Sequence, residues 1–325
     1  MPFLFLWSMA LFAVKNIDYQ FGRKCEILKG NRSSYQKFVL PEMHKWDCIS
    51  ELQTYQNHTP TVVFFGDSRV RQLRDGLVHR LIGVDQDWLA NRSIIYNETT
   101  YRKHSDRTMI LTPDNVTYFQ MEFIWSGHIN LVVKHLKRYV LRQRQLKLAA
   151  KGAYRKPNLL IIGGSAWQYS APQFSNCTKE ERSKTGCGIE YQRLFEKLLA
   201  VLEKSGLNTP VLWVPQTIMD DPNVVDTGVS NANMRTYNEI VHDALRNLDR
   251  TPPITYWESY EKAFNLTDSL DGMHLGPEAK RKLVPFLLNY LCTLLDNMQC
   301  YNNRGFAMPR PSLEFTKYHS TQNVK

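Results

Sequence analysis

The chain has 325 residues, of which 43% are hydrophobic, and it carries a formal net charge of +10. This length and composition suit one large folded domain with irregular ends, and the lack of internal repeats or low-complexity tracts excludes a repeat array. The basic charge favours anionic partners, but no zinc-finger spacing or aromatic-basic RNA motif accompanies it, so we expect small anionic molecules rather than nucleic acid.

The chain begins with an apolar stretch. Residues 2–14, PFLFLWSMALFAV, are interrupted only by Ser8 and are long enough for a signal-peptide core but short for a membrane span. We therefore expect residues 1–14 to be a signal or a signal anchor. Residues 15–59 are predicted to form a polar strap, 60–300 the main domain, and 301–325 a polar tail.

Glycosylation motifs and cysteines both indicate the secretory pathway. The seven Asn-x-Ser/Thr motifs exceed what chance gives for this composition. They begin at Asn31, Asn57, Asn91, Asn97, Asn115, Asn176 and Asn265. The six cysteines have no metal-type spacing and fall into neighbouring pairs, which is typical of disulfides. The simplest pairing is Cys25–Cys48, Cys177–Cys187 and Cys292–Cys300, although other connectivities are allowed.

Strand and helix patterns alternate from residue 61 onward. Apolar or alternating runs predict strands over 61–65, 108–111, 117–125, 158–164, 210–214 and 254–257. Amphipathic periodicity predicts helices over 69–81, 129–151, 189–204, 231–248 and 277–291. This alternation predicts an α/β fold, with a doubly wound, mainly parallel sheet flanked by helices.

The helix predicted over 129–151 is strongly basic. Its exposed faces carry Lys134, Lys137, Arg138, Arg142, Arg144, Lys147 and Lys151. The favoured interpretation is a solvated helix face, and the alternative is an electrostatic funnel for a phosphate-bearing substrate.

Residues with catalytic chemistry follow three of the predicted strands. Ser68 ends a Gly-Asp-Ser sequence after the first strand, residues 163–165 follow a central one, and Asp271 and His274 follow the last. The carboxyl ends of the strands of a doubly wound sheet share one edge, so these residues are expected to meet there. A hydroxyl, a base and an acid that orients the base form the set for nucleophilic acyl chemistry. Ser68, His274 and Asp271 are predicted to be this triad, although serine is also a common helix cap.

These motifs carry a family resemblance. Gly-Asp-Ser after the first strand and Asp-x-x-His before the last helix resemble the SGNH/GDSL hydrolases. The longer segments GDSRVRQL at 66–73, GGSAW at 163–167, TYNE at 236–239 and SLDGMHL at 269–275 resemble the lumenal domain of sialate O-acetyltransferases. Those are Golgi enzymes that move acetyl from acetyl-coenzyme A to sialic acid. The resemblance covers roughly residues 25–292 and implies the three-layer, flavodoxin-like fold of the SGNH hydrolases.

The resemblance also implies roles for individual residues. His274 would deprotonate Ser68, Ser68 would take the acetyl group and pass it to a sugar hydroxyl, and Asp271 would orient His274. Gly127 is the expected oxyanion donor beside the backbone N–H of Ser68. Many family members have Asn after the central strand. This chain has Gly-Gly-Ser there, so Ser165 or a backbone N–H is expected to replace that donor.

Two residues are predicted to contact substrate. Trp167 would pack on the acceptor sugar or, as an alternative, anchor its loop. Arg69 would bind a sialic acid carboxylate or a phosphate or, as an alternative, form an ordinary helix salt bridge. The histidines have no spacing that suggests a metal site, and no bound cofactor is expected. The resemblance implies acetyl-coenzyme A as co-substrate and sialic acid or CMP-sialic acid as acceptor.

Three functions stay open at this point. The first is an O-acetyltransferase of the Golgi lumen or membrane. The second is a carbohydrate O-acetylesterase, in which water attacks the same acetyl-serine. The third is an inactive glycan-binding relative, which the intact triad disfavours. The family continues into a multi-spanning membrane region that is absent here, so membrane attachment is expected only through the N-terminal segment or through that missing region.

Overall fold

The structure, a computed structural model, describes residues 59–82, 105–111, 117–149, 156–164, 178, 187–218, 230–246, 254–263, 268–269 and 272–302. The strands are β1 (Thr61–Gly66), β2 (Ser105–Leu111), β3 (Thr117–Trp125), β4 (Leu159–Gly163), β5 (Val211–Val214) and β6 (Ile254–Tyr256). The helices are α1 (Ser68–Ile82), α2 (Ile129–Ala149), α3 (Gly188–Ser205), α4 (Asn231–Arg246), α5 (Glu258–Ala263) and α6 (Pro277–Asn302).

The described strands form one sheet in the order β2-β3-β1-β4-β5-β6. Strands β3, β1, β4, β5 and β6 are parallel, and β2 pairs antiparallel with β3 at the edge. Numbered in chain order, the parallel strands run 2-1-3-4-5, which is the flavodoxin-like order of a doubly wound sheet. The predicted fold class is confirmed, and the strand order reverses beside β1.

Strand β1 shows why the chain folds in three layers. Val62 and Phe64 pack into the core that lies under α1 and α6. Val63 and Phe65 pack into the opposite core, together with α2, α3 and α4. Successive side chains of a strand point to opposite faces, so a continuous apolar run such as TVVFF supplies both layers.

The structure departs most from the sequence prediction at β2, α5 and α6. Strand β2 begins at Ser105 rather than 108, and α6 continues to Asn302 rather than ending near 291. No Gly or Pro stop signal follows residue 291 before Asn302, so the helix continues. Helix α5 was not predicted, because its six residues are too few for a helical period to be recognised.

Several predicted features lie outside the described residues. They are the N-terminal segment 1–14, the asparagines of the seven glycosylation motifs, nearly all of the strap, most of the tail, and the residues Cys25, Cys48, Lys151, Ser165, Trp167, Cys177 and Asp271. Cys187 and Cys292 are both disulfide-bonded, but the predicted pairing stays a prediction. Among the helices of the described ranges, none has the length and apolar character needed to cross a membrane.

Candidate active site

The turn between β1 and α1 presents Ser68 as the first residue of a helix. The Asp67 Oδ1 atom accepts a hydrogen bond from the Arg69 N–H at 3.0 Å, and the Asp67 carbonyl accepts one from the Arg71 N–H at 3.0 Å. Asp67 therefore caps α1 through the Arg69 and Arg71 amides, which leaves the hydroxyl of Ser68 available for other chemistry. A helix N-terminus also favours negative charge that develops beside it.

The loop before α6 holds His274 in a tightly specified turn. Asp268 accepts hydrogen bonds from the N–H groups of Glu278 (3.1 Å) and Ala279 (2.8 Å), so it caps α6 from ten residues upstream. A Cβ atom at Gly276 would lie 1.8 Å from the Asp268 carbonyl oxygen, which only glycine avoids. Gly272 adopts a φ of +68°, in the left-handed region that favours glycine.

Ser68 and His274 meet at the carboxyl edge of the sheet. The Ser68 Oγ atom lies 2.7 Å from His274 Nε2, which is a normal distance for a serine hydroxyl donating to a neutral imidazole. Ser68 is 6% exposed, and His274 is half-buried. The pair has the geometry of an activated nucleophile. Asp271, the third predicted member, lies outside the described residues, so its role stays a prediction.

Two backbone segments lie beside the Ser68 turn. The Ser126 N–H donates to the Gly66 carbonyl at 2.7 Å, which places the buried Gly127, the predicted oxyanion donor, next to that turn. On the other side, Gly164 has a φ of +89°, and a Cβ atom there would lie 2.9 Å from the backbone nitrogen of Asp67. The backbone of Gly164 therefore packs directly against the nucleophile turn.

Arg69 is placed differently from the sequence expectation. Its side chain is 3% exposed, and its guanidinium donates to the carbonyls of Met273 (2.8 Å), Thr217 (2.9 Å) and Ile218 (3.3 Å). With the guanidinium turned to these three carbonyls, this geometry does not support the expected contact with a substrate carboxylate. Arg69 instead joins the nucleophile helix to the segment after β5 and to the loop that carries His274.

Sequence reasoning did not assign roles to two buried residues near this turn. Gln72 accepts a hydrogen bond from the Leu275 N–H at 2.9 Å; its only signal was its place within GDSRVRQL. Tyr260 lines a narrow space under the turn with Asp67, Gly164 and Gln216. Burial raises the pKa of the Tyr260 hydroxyl; Asp67 raises it further and Arg69 opposes that. A lone tyrosine in a short helix gives no recognisable sequence signal.

Two histidines follow the segment that contains Gly127. Burial lowers the pKa of His128 to about 4, with a smaller contribution from His135. Burial also lowers the pKa of His135; a hydrogen bond from its ring to the Trp125 backbone carbonyl opposes this, and the cations Arg138 and Lys134 lower the pKa further. Because its Nδ1 lies 3.0 Å from the Ser126 Oγ, His135 links α2 to the strand end beside the site.

The basic residues of α2 separate into two groups. Toward the carboxyl end of the helix, Arg142 pairs with Glu122 at 2.7 Å, and Arg144 donates to the carbonyls of Lys204 and Ser205 at the end of α3. Toward the amino end, Lys134, Lys137 and Arg138 line an open cleft of about 380 Å³ together with Lys197 of α3. The first group has structural contacts, so only the second retains the character of the predicted funnel.

Comparison with known proteins finds similarity in sequence to an acetyltransferase. No protein-family model matches the chain. It is 23% identical over 236 residues to an N-acetylneuraminate (7)9-O-acetyltransferase of Danio rerio. The alignment covers 71% of this chain and 25% of the relative, so the chain spans about a quarter of that relative's length. This similarity agrees with the resemblance that the motifs carry.

Solved structures that resemble the chain include two esterases. A carbohydrate esterase of family 3 from Talaromyces cellulolyticus matches with a TM-score of 0.41 at 10% identity, over 73% of this chain and 98% of the other. An acetyl esterase, solved as a serine-to-alanine mutant with acetate ion, matches with a TM-score of 0.44 at 10% identity. The match covers 74% of this chain and 100% of the esterase chain. Both TM-scores are below 0.5, so the fold class rests on the strand order described above.

Proposed function

We propose that this chain is an O-acetyltransferase that moves acetyl from acetyl-coenzyme A, through an acetyl-Ser68 intermediate, to a hydroxyl of sialic acid or CMP-sialic acid. The observation that carries the proposal is the 2.7 Å contact between the Ser68 Oγ and the His274 Nε2 at the carboxyl edge of the sheet. The sequence similarity to an N-acetylneuraminate (7)9-O-acetyltransferase supports acetyl as the transferred group and sialic acid as the acceptor.

In the first half-reaction Ser68 attacks the thioester. His274 Nε2 takes the hydroxyl proton as the Oγ atom bonds to the acetyl carbonyl carbon, and the carbonyl oxygen becomes an oxyanion. The backbone N–H of Ser68, at the start of α1, and that of Gly127 are the proposed donors to this oxyanion. The carbon–sulfur bond then breaks, and His274 returns the proton to the departing thiolate.

In the second half-reaction the acetyl group leaves Ser68. His274 takes a proton from a sugar hydroxyl, whose oxygen attacks the acetyl carbonyl, and the proton returns to the Ser68 oxygen as the ester bond breaks. Asp271 would hold the other nitrogen of His274. If water replaces the sugar, the same residues make an esterase, so the acceptor decides between the two activities.

The cleft between α2 and α3 is the proposed place for the phosphates of the donor. Its lining side chains include Lys134, Lys137, Arg138 and Lys197, and the positive charges of Lys134 and Arg138 contribute to the lowered pKa of His135, whose ring contacts Ser126 beside the site. Helix α2 starts two residues after Gly127. At about 1.5 Å per residue, Arg138 then lies about 14 Å along the helix from that start, a separation that the long uncharged arm of coenzyme A can bridge.

The proposed location is the Golgi lumen. The seven glycosylation motifs in the sequence support a secretory route, as do the disulfide-bonded Cys187 and Cys292. Both features are expected of a chain that folds in an oxidising, glycosylating compartment. We propose attachment to the membrane through residues 1–14 or through a following region.

A product assay tests the proposal. The chain is incubated with acetyl-coenzyme A and either sialic acid or CMP-sialic acid, and acetylated sugar and free acetate are both quantified. We expect acetylated sugar from the wild type and a loss on the order of 10⁴-fold in Ser68→Ala. Free acetate without acetylated sugar would instead identify an esterase. No turnover combined with retained sugar binding would identify a glycan-binding relative.

A further inference from the structure

We infer that Arg69 and Gln72 are positioning residues that fix the base His274 against the nucleophile, an inference that rests on the proposed function of the Ser68–His274 pair. Both residues belong to α1, the helix that begins with Ser68. The Arg69 Nε donates to the Met273 carbonyl at 2.8 Å, and the Gln72 Oε1 accepts from the Leu275 N–H at 2.9 Å. His274 is therefore held by its two chain neighbours, one on each side.

The arrangement makes nucleophile and base parts of one unit. Arg69 and Gln72 follow Ser68 by one and four positions on a helix, so the distances among these three residues are set by helix geometry. His274 is 206 positions away in the chain and lies on a loop, which by itself would hold its ring loosely. The two hydrogen bonds fix the backbone on both sides of that ring to helix α1.

Burial makes the two contacts strong. Arg69 is 3% exposed and Gln72 is 2% exposed, so water does not compete for their polar atoms. The guanidinium also donates to the carbonyls of Thr217 and Ile218, and charge-assisted bonds of this kind are stronger than neutral ones. Moving the His274 loop would leave a buried cation and a buried amide without these partners, which is costly.

The same geometry predicts that loss of these contacts lowers the reaction rate without removing the core of the fold. A misplacement of about 1 Å at a reacting group can reduce a rate by about 100-fold. Loss of the Gln72 contact releases the Leu275 N–H and allows the His274 ring to shift from the Ser68 Oγ. The fold keeps its core, because the apolar residues of α1 such as Leu73 and Leu77 are untouched.

The test compares two substitutions at one position. Gln72→Glu keeps an acceptor for the Leu275 N–H, whereas Gln72→Met has a similar length and no such acceptor. The rate at which a fluorophosphonate probe labels Ser68 reports on the activated nucleophile without any sugar or thioester. We expect Gln72→Met to slow labelling by about 10- to 100-fold and Gln72→Glu to keep most of the wild-type rate. Arg69→Lys keeps the charge but loses the planar set of guanidinium donors, so we expect it to slow labelling as well.

A stability control separates positioning from general loosening. Leu77→Ala removes buried apolar volume from the same helix at a residue that is 1% exposed, and it should lower the unfolding midpoint at least as much as Gln72→Met does. We expect Leu77→Ala to keep the wild-type labelling rate. Equal rates in wild type, Gln72→Met and Arg69→Lys would overturn the inference, and so would an equal slowing in Leu77→Ala.

A second readout keeps this inference separable from the proposed function. The His274 ring signals, assigned in a nitrogen-labelled histidine spectrum with a His274→Gln variant, report ring placement even in an unreactive protein. We expect Gln72→Met to shift or broaden them while Leu77→Ala leaves them in place. If wild-type Ser68 is not labelled at all, the proposed function fails, and unchanged His274 signals in Gln72→Met would overturn the positioning inference by themselves.

Discussion

His128 uses its side chain to cap α2. Its carbonyl accepts from the Val132 N–H at 3.1 Å, and its Nδ1 accepts a longer hydrogen bond of 3.4 Å from the Leu131 N–H. Protonation of Nδ1 would remove that acceptor and place a cation at a helix N-terminus, where positive charge is unfavourable. Because burial lowers the pKa of the ring to about 4, the ring stays neutral at neutral pH and its Nδ1 can accept this hydrogen bond.

The stability of the fold should depend on pH through this residue. In the unfolded chain His128 titrates near its ordinary pKa of 6.5, whereas the folded pKa is about 4. Between these values the unfolded chain binds the proton and the folded chain does not, so the stability that is fully present above pH 6.5 is lost as the pH falls toward 4. We expect the free energy of unfolding, measured in denaturant, to fall on the order of 1 to 3 kcal/mol between pH 7.5 and pH 4.5 from this residue.

An asparagine variant provides the matched comparison. His128→Asn keeps a side-chain oxygen that can cap α2 but has no titrating ring. The decrease in stability between the two pH values should be smaller in His128→Asn than in the wild type, with a remainder from His135, whose pKa is also lowered. An equally steep decrease in both proteins would show that His128 is not responsible.

At the scale of elements, the basic side chains in the two halves of α2 have different surroundings. The carboxyl-terminal half is tied down by the Arg142–Glu122 pair and by the Arg144 bonds to the end of α3. The amino-terminal half presents exposed cations to the cleft that it forms with α3. Exposed cations without such contacts attract anionic ligands and are strongly affected by salt.

Coenzyme A binding should therefore depend on the amino-terminal half. Replacing Lys134, Lys137 and Arg138 together by glutamine is expected to weaken binding of coenzyme A by about 10- to 100-fold, in line with the loss of several charge contacts. Calorimetry on the Ser68→Ala background measures binding without turnover. The salt dependence of the affinity should also become shallower, because fewer charges are then screened.

A charge-matched control removes three cations that do not line the cleft. Glutamine at Lys147, near the carboxyl end of α2, and at Arg281 and Lys282 of α6 removes the same formal charge, and the surface pair of Lys282 with Glu278 contributes little stability. This control should bind coenzyme A as the parent does. If both triple variants lose affinity equally, net charge explains the effect; if neither does, the phosphates bind elsewhere. An affinity loss for CMP-sialic acid but not for coenzyme A would assign the cleft to the acceptor.

Short and long elements differed in how well the sequence predicted them. Strands β1 and β4 were predicted because short uninterrupted apolar runs, VVFF in β1 and LLII in β4, are typical of buried parallel strands. Helix α5 was missed although its Tyr260 is fully buried, because a helix of less than two turns shows no period. The short α5 nevertheless supplies a side chain beneath the nucleophile turn.

For the whole molecule, the alternation of strands and helices was enough to predict both the sheet and the edge at which the site lies. Since carboxyl ends of parallel strands converge, Ser68 and His274 could be expected to meet without any knowledge of side-chain contacts. The direction of Arg69 could not be predicted in this way. A long guanidinium reaches many partners, and only the packed loops after β5 and before α6 determine which carbonyls it meets.

Acetylation of Ser68 is the most direct test of the proposed chemistry. The wild-type chain is mixed with acetyl-coenzyme A alone, quenched in acid at a series of times, and digested for mass spectrometry of the Ser68 peptide. We expect one acetyl group on this peptide, none in Ser68→Ala, much slower appearance in His274→Gln, and its transfer to the sugar when CMP-sialic acid is added. Consumption of acetyl-coenzyme A and formation of acetylated sugar by wild type, with Ser68 unmodified at every time, would contradict the account.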